Sequence, residues 1–112
     1  RAAGSIPTNP KPGMDKTTSV SFELSAAFPN PFNPTTAIRY VLPSPAHVTI
    51  VVFNVVGQKV AELLDSEVDA GNHALQFDAR NFGSGVYFAQ MRVTDELGRL
   101  IYSKVNRLIL TK

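Results

Sequence analysis

Apolar and polar positions alternate with a period of two from about residue 20 to the end of this chain. This is the pattern of β-strands that are buried on one face. β-Branched and aromatic residues are frequent in these segments, and Gly, Pro, Asn or Asp separate them. The pattern predicts seven strands, over residues 20–28, 36–42, 48–54, 59–64, 74–78, 86–94 and 99–110.

The segment 48–54 (VTIVVFN) is apolar on both faces at its centre, which predicts a buried central strand. The other segments alternate: Ile38, Tyr40 and Leu42, for example, share one face, and Arg39 lies on the other. Short strands with a turn signal about every dozen residues are typical of two packed sheets. We therefore predict an all-β fold, an immunoglobulin-like or fibronectin-like antiparallel β-sandwich of about seven strands.

Two turns between predicted strands share one layout. Asn54 and Asp95 each precede a glycine by three residues, Gly57 and Gly98. Asn or Asp favours the first position of a type I turn, and glycine supplies a positive φ after it. Both segments are therefore predicted to be hairpins with a glycine bulge.

A structural tyrosine is predicted in the segment FGSGVY, residues 82–87. In sandwich folds, a tyrosine at the start of the penultimate strand hydrogen-bonds to backbone a few residues upstream. Tyr87 fits this tyrosine corner, and we expect Gly85 to permit the close approach.

The segment FPNPFNP, residues 28–34, interrupts the strand pattern with Pro29, Pro31 and Pro34. Proline cannot donate a hydrogen bond to a sheet and restricts the residue before it to extended conformations. We expect a stiff crossing between the two sheets, with Phe28 and Phe32 closing one end of the core. A direct role of Asn30 or Asn33 in recognition is the alternative.

Composition separates a polar N-terminal segment from the rest of the chain and limits the partners that the chain can be expected to bind. Residues 1–19 are rich in Pro, Gly, Ser, Thr and Lys, so we expect a disordered linker that follows an upstream domain, with residues 20–112 as the folded domain. The net charge of +2 is small, and the cations are dispersed. This disfavours nucleic acid as a partner. No apolar stretch is long enough for a membrane span, and no cysteine is present.

No catalytic or metal-binding pattern emerges. His47 and His73 are far apart and show no ligand spacing, and Ser84 lacks the context of a nucleophile elbow. Acidic residues around the predicted loop 65–72 could bind Ca²⁺, but the spacing is not that of an EF-hand, and a solvated turn is favoured. We expect no cofactor, no metal site and no enzyme activity in this domain.

Six sequence blocks resemble the C-terminal sorting domain of the bacterial type IX (Por) secretion system. In chain order they are FPNPFNPTT (28–36), IRY (38–40), FNVVGQKV (53–60), FDA (77–79), SGVYF (84–88) and LILTK (108–112). The shared structural residues are Pro29, Asn30, Pro31, Asn54, Gly57, Gly85 and Tyr87.

The resemblance implies a non-catalytic export signal at the end of a larger protein of a Gram-negative bacterium, often a glycoside hydrolase or peptidase. Such a protein passes through the periplasm and is secreted or attached to the cell surface. The implied partners are the outer-membrane translocon, a sortase-like peptidase that removes the domain, and the upstream cargo in the same chain. The family associates recognition most with the final strand. Here the corresponding residues are Lys104, Arg107, Leu108, Ile109, Leu110 and Lys112.

Two other functions are compatible with a linker followed by a β-sandwich. One is a carbohydrate-binding module of a polysaccharide hydrolase, although the chain has no Trp and no evident row of exposed aromatic residues. The other is a passive spacer. In the sorting hypothesis, we expect the final strand to offer free backbone groups at Leu108, Ile109 and Leu110 to an added strand of the partner.

Overall fold

The computed structural model describes residues 21–112, which form two antiparallel sheets. The predicted linker, residues 1–19, and the predicted strand start at Val20 lie outside the described residues. The strands are β1 (Glu23–Leu24), β2 (Thr35–Leu42), β3 (Ala46–Phe53), β4 (Lys59–Val68), β5 (Gly71–Asp78), β6 (Gly85–Thr94) and β7 (Leu100–Leu110). The prediction of an all-β sandwich with seven strands is confirmed for this part of the chain.

The two sheets differ in size. The small sheet has the strand order β1-β2-β5, and the large sheet has the order β4-β3-β6-β7. β3 is central and pairs with β4 and β6 along nearly its whole length, as its apolar sequence predicts. β7 lies at the edge of the large sheet and pairs with β6 from Leu100 to Leu110.

The core lies between the sheets and consists of the residues that the period-two pattern places inward. In β3 these are Val48, Ile50 and Val52, each with no exposed surface. Ile38, Met91, Val93 and Leu108 meet them from other strands. Burial of each such side chain stabilises the fold by about 1.5–3 kcal/mol, so the packing of the two sheets is the main source of stability.

The first predicted strand is shorter than expected. Of residues 20–28, only Glu23–Leu24 form a strand within the described part of the chain, although Phe28 still exchanges two backbone hydrogen bonds with Ala37 at 3.0 and 3.1 Å. Pro29 and the residues after it leave the small sheet because a proline cannot continue the ladder. Phe32 is 2% exposed and closes the core as expected, but Phe28 is 73% exposed, so the expectation that both rings are buried is wrong.

The predicted acidic loop at residues 65–72 is also shorter than expected. β4 continues to Val68 and β5 begins at Gly71, so only Asp69 and Ala70 lie between these two strands. Asp65 and Glu67 therefore lie on a strand and face β3. Among residues 21–112, no helix is long and apolar enough to cross a membrane.

Candidate functional site: the terminal strand and the motif that holds it

The side-chain amide of Asn30 binds the backbone of the last strand. Its Nδ2 donates to the carbonyl oxygen of Arg107 at 2.9 Å, and its Oδ1 accepts from the amide of Ile109 at 2.8 Å. A primary amide carries one acceptor and two donors, so it can satisfy both backbone groups as a neighbouring strand would. Asn30 therefore covers the outer edge of β7 at Arg107 and Ile109.

Phe32 extends this contact with its own backbone. Its amide donates to the carbonyl oxygen of Ile109, and its carbonyl oxygen accepts from the amide of Thr111, both at 2.9 Å. This makes a parallel bridge between Phe32 and Leu110. The proline motif from Asn30 to Phe32 thus acts as a short added strand. We call this contact with residues 107–111 the clasp.

Two hydrogen bonds attach the proline motif to the small sheet. The hydroxyl of Thr36, which is 2% exposed, donates to the carbonyl oxygen of Pro29 at 2.7 Å. The amide of Ala79 donates to the carbonyl oxygen of Pro34 at 2.9 Å. Because a proline has no backbone N–H, its carbonyl oxygen is the one backbone group with which Pro29 or Pro34 can form a hydrogen bond.

A series of aromatic rings connects the clasp to the predicted tyrosine corner. The ring of Phe32 lies 6.0 Å from that of Phe77, Phe77 lies 5.7 Å from Phe82, and Phe82 lies 5.8 Å from Tyr87. These centroid distances are in the favourable range for aromatic pairs. The two sequence blocks that contain Phe32 and Tyr87 therefore belong to one packed unit.

The tyrosine corner is confirmed. The hydroxyl of Tyr87 donates to the carbonyl oxygen of Gly83 at 2.7 Å. The reason expected for Gly85 is wrong, because a Cβ atom there would meet no atom within 4 Å. Its φ of 153° accounts for the glycine instead, since residues with a side chain rarely adopt that conformation.

Both predicted hairpin turns are confirmed. The carbonyl oxygens of Asn54 and Asp95 accept from the amides of Gly57 and Gly98 at 3.0 and 2.9 Å. The two glycines have φ values of 86° and 79°. In each turn the first side chain also accepts two downstream amides through Oδ1. In the second turn, the hydrogen bond from the amide of Arg99 is the main cause that lowers the pKa of Asp95.

The residues predicted for recognition do not form one surface patch. Leu108 and Leu110 point into the core and are 0% and 1% exposed. Lys104 pairs with Met91, and Arg107 pairs with Phe88. Because side chains alternate between the two faces of a strand and these cations are three positions apart, they lie on opposite faces of β7. Lys112 bends away and donates from Nζ to the carbonyl oxygen of Arg80 at 2.7 Å.

The backbone of the predicted recognition region is only partly free. The expectation that residues 108–110 offer unpaired backbone groups at the edge is wrong, because Asn30 and Phe32 already bind the outward groups of Ile109. Sequence reasoning missed this contact because Asn30 and Ile109 are 79 positions apart. It also missed Asn106, whose Nδ2 donates to the carbonyl oxygens of Leu24 and Ser25 at 3.3 and 2.9 Å. The one signal of this contact in the sequence was that Asn106, a polar residue, is in phase with Leu108 and Leu110 on the core-facing side of the last strand.

Charge is distributed unevenly across the large sheet. β4 contains three acidic residues, Glu62, Asp65 and Glu67, and one basic residue, Lys59, whereas β6 and β7 contain Arg92, Lys104 and Arg107 and no acidic residue. One edge of the sheet is therefore acidic and the other basic.

His47 has partners that the sequence did not reveal. On β3 its ring nitrogens lie 2.5 Å from Asp65 Oδ1 and 3.1 Å from Glu67 Oε2. These hydrogen bonds raise the pKa of His47, chiefly through Asp65. The contact joins β3 to β4 on the outer face of the large sheet.

Comparison with proteins of known structure shows that the sandwich recurs elsewhere. CopC from Methylosinus trichosporium OB3b matches over 82% of this chain and 97% of its own, with a TM-score of 0.51 and 16% sequence identity. At this identity the similarity concerns the fold alone. A search of curated protein sequences finds no match.

The sequence comparison with family profiles is specific. The profile described as the secretion system C-terminal sorting domain matches residues 26–99, which is more than half of the chain. The match contains the proline motif, both predicted hairpin turns and the tyrosine corner. The chain therefore belongs to the family of C-terminal sorting domains of the type IX secretion system.

Proposed function

We propose that this domain is the export address of a larger cargo protein and performs no catalysis itself. In this proposal the outer-membrane translocon of a Gram-negative bacterium recognises the folded domain after the cargo reaches the periplasm. A sortase-like peptidase then removes the domain, and the cargo is released or attached to the cell surface. A hydrolase such as a glycoside hydrolase or peptidase is the proposed upstream cargo.

The observation that carries the proposal is the position of the terminal strand. β7 is an edge strand whose exposed charged side chains, Lys104 and Arg107, are both cationic. The clasp and the burial of Leu108 and Leu110 hold this strand in one register on β6. A rigid strand with protruding cations suits recognition by a large partner, since little conformational entropy is lost on binding.

Within this proposal the predicted recognition residues have different roles. Lys104, Arg107 and Ile109 offer side chains to a partner, and Lys112 ends the chain beside Arg80. Leu108 and Leu110 act by anchoring the strand, because their side chains are inside the core.

Charge reversal on the terminal strand tests the proposal. A fluorescent protein with a periplasmic export signal is fused in front of residues 1–112 and expressed in a bacterium that has the type IX machinery. We expect the unmodified fusion to reach the medium or cell surface. The double variant K104E/R107E is expected to remain in the periplasm, because its strand presents the opposite charge.

The matched control is R39E, which reverses an exposed arginine on β2 in the other sheet. We expect the R39E fusion to be exported normally. Periplasmic retention of the unmodified fusion, or equal export of K104E/R107E and R39E, would contradict the proposal.

A further inference from the structure

The outer edge of β7 consists of a covered part and an open part. In an antiparallel pair, the backbone groups of every second residue point away from the partner strand. The contacts of Arg107, Ile109 and Thr111 with the clasp identify the odd-numbered residues as those that point outward. Ser103 and Val105 are in the same phase and precede the clasp. Among residues 21–112, no strand pairs with β7 on this side.

The open part also carries exposed apolar side chains. Leu100, Ile101 and Val105 are 49%, 46% and 51% exposed. Ile101 and Val105 are β-branched, a type that packs well against a neighbouring strand. Within the described strands, all exposed large apolar side chains lie on β7. The pairing of β7 with β6 is irregular beside Ile101, so the regular outward backbone groups of this segment are those of Ser103 and Val105. The segment 101–105 therefore combines these groups with the side chains that an added strand would cover.

The other three sheet edges of the described chain are less suited to the addition of an apolar strand. β1 is two residues long. β4 carries Lys59, Glu62, Asp65 and Glu67, and its pairing with β3 is irregular at two places. Short length, charge and bulges are the features that keep edge strands from pairing with other chains. β5, the remaining edge, is eight residues long, but its exposed side chains include Asn72, Gln76 and Asp78 and no large apolar one. The end of β7 is covered by the clasp. The segment 101–105 therefore differs from these edges in its exposed large apolar side chains.

Charge defines the chemistry of the strand that fits. Lys104 lies within the open segment, Arg92 is opposite Ser103 on β6, and Arg107 follows on the outer face of β7. An acidic strand would be attracted to this edge, whereas pairing β7 with β7 of a second copy would bring like charges together.

We propose that residues 101–105 accept an acidic, extended segment of another protein as an additional strand of the large sheet. The inference deepens the proposed function and rests on it for the origin of that segment, which would be a component of the secretion machinery. The clasp then has a second consequence: it restricts strand addition to the segment before Arg107.

A peptide titration tests the edge without reference to secretion. The full chain is labelled with ¹⁵N and titrated with a short peptide of alternating valine and glutamate. We expect chemical shift changes at the amides of residues 101–105 and slower hydrogen exchange at Ser103 and Val105. A peptide with the same sequence and N-methylated backbone is expected to bind about tenfold more weakly, because it cannot complete the ladder.

Two variants at an exposed position examine the charge preference. V105E is expected to weaken peptide binding about threefold relative to V105Q, since it places a like charge beside the acidic strand. The inference would be overturned by shifts confined to β4 or β5, by equal binding of the N-methylated peptide, or by equal binding of V105E and V105Q. It would also be overturned by peptide-independent dimerisation in light scattering, if the amide shifts of residues 101–105 change with protein concentration.

Export of the fluorescent fusion tests the biological role of the edge. S103P removes an outward N–H that β6 does not use, whereas S103A keeps it. We expect S103P to be exported at least about tenfold less than S103A. Equal export of S103P and S103A would show that the secretion machinery does not recognise the edge at residues 101–105. It would leave the proposed function intact.

The two failures are distinguishable. Retention of the unmodified fusion refutes the proposed function, and the peptide titration then still decides whether the edge binds a strand. If S103P loses its folded NMR spectrum, export of V105E against V105Q decides in its place, with reduced export of V105E expected and equal export overturning the inference.

Discussion

The side chain of Asn30 holds the backbone of Ile109 at 2.8 Å, although 79 positions separate the two residues. The same amide group binds the carbonyl oxygen of Arg107. The motif at the start of the domain thus closes the edge of the strand at its end. In this arrangement the proline motif protects the terminal strand and also positions it.

Replacement of Asn30 is expected to loosen the terminal strand. N30A removes both hydrogen bonds and should lower the free energy of unfolding by about 1–3 kcal/mol. Amide hydrogen exchange at Ile109 should become faster in the same variant. N33A, at an exposed position of the same motif, is the control and should stay within about 0.5 kcal/mol of the wild type. Unchanged exchange at Ile109 in N30A would contradict the clasp.

The tyrosine corner is expected to contribute to stability through its hydroxyl group. Y87F keeps the ring against Phe82 but removes the hydrogen bond to Gly83. We expect a loss of about 1 kcal/mol in chemical denaturation. Y102F, which removes the hydroxyl group from a ring stacked on Phe22 at 5.5 Å, serves as the matched control and should have a smaller effect. The reverse order of the two variants would contradict the structural role of Tyr87.

A methyl group at Gly98 is expected to destabilise the second hairpin. Gly98 has a φ of 79°, a conformation that costs a residue with a side chain about 1–2 kcal/mol. G98A should therefore lower the midpoint of denaturation. G83A is the control, because Gly83 has no positive φ and a Cβ atom there meets no atom within 4 Å. Equal midpoints for G98A and G83A would argue against the bulge.

Stability is expected to depend on pH through His47. The carboxylates of Asp65 and Glu67 raise its pKa in the folded state above the ordinary value of 6.5, so the protonated form favours folding. This contribution is complete below pH 6.5 and is lost as the pH rises through the folded-state pKa. The melting temperature of the wild type should fall over that range.

The variant H47Q isolates this effect, because it removes the titrating group from the carboxylate pair. Its melting temperature should lack the decrease that the wild type shows above pH 6.5. H73Q, which changes the other histidine, should retain the decrease. If the melting temperature of H47Q still falls above pH 6.5, the decrease must come from the titration of another group.

Deletion of residues 106–112 is expected to unfold the domain, and not only to remove the segment proposed for recognition. It takes away Leu108 and Leu110, whose burial contributes about 3–6 kcal/mol together. This is a large part of the about 5–15 kcal/mol that stabilises a typical domain. Circular dichroism should show loss of cooperative unfolding. Deletion of residues 111–112 alone should preserve it, and a folded 1–105 fragment would contradict the prediction.

Local features of the fold could be predicted from the sequence because their causes lie within a few residues. The turns at Asn54 and Asp95 and the corner at Tyr87 each depend on hydrogen bonds that span at most four residues. The inward face of each long strand follows from alternation, as for Ile38 and Tyr40. The sandwich itself follows from many such strands, since each needs a second layer to bury its apolar face.

The tertiary structure decided what the terminal strand presents. From the sequence, residues 104–112 were one recognition segment, yet the pairing of β7 with β6 sends Leu108 and Leu110 inward and places Lys104 and Arg107 on opposite faces. The partners of His47 and Asn30 were likewise decided by strand register, which no local pattern encodes. The sequence determines which residues can form strands and turns, whereas the packing of distant strands determines which backbone groups remain free at the edge.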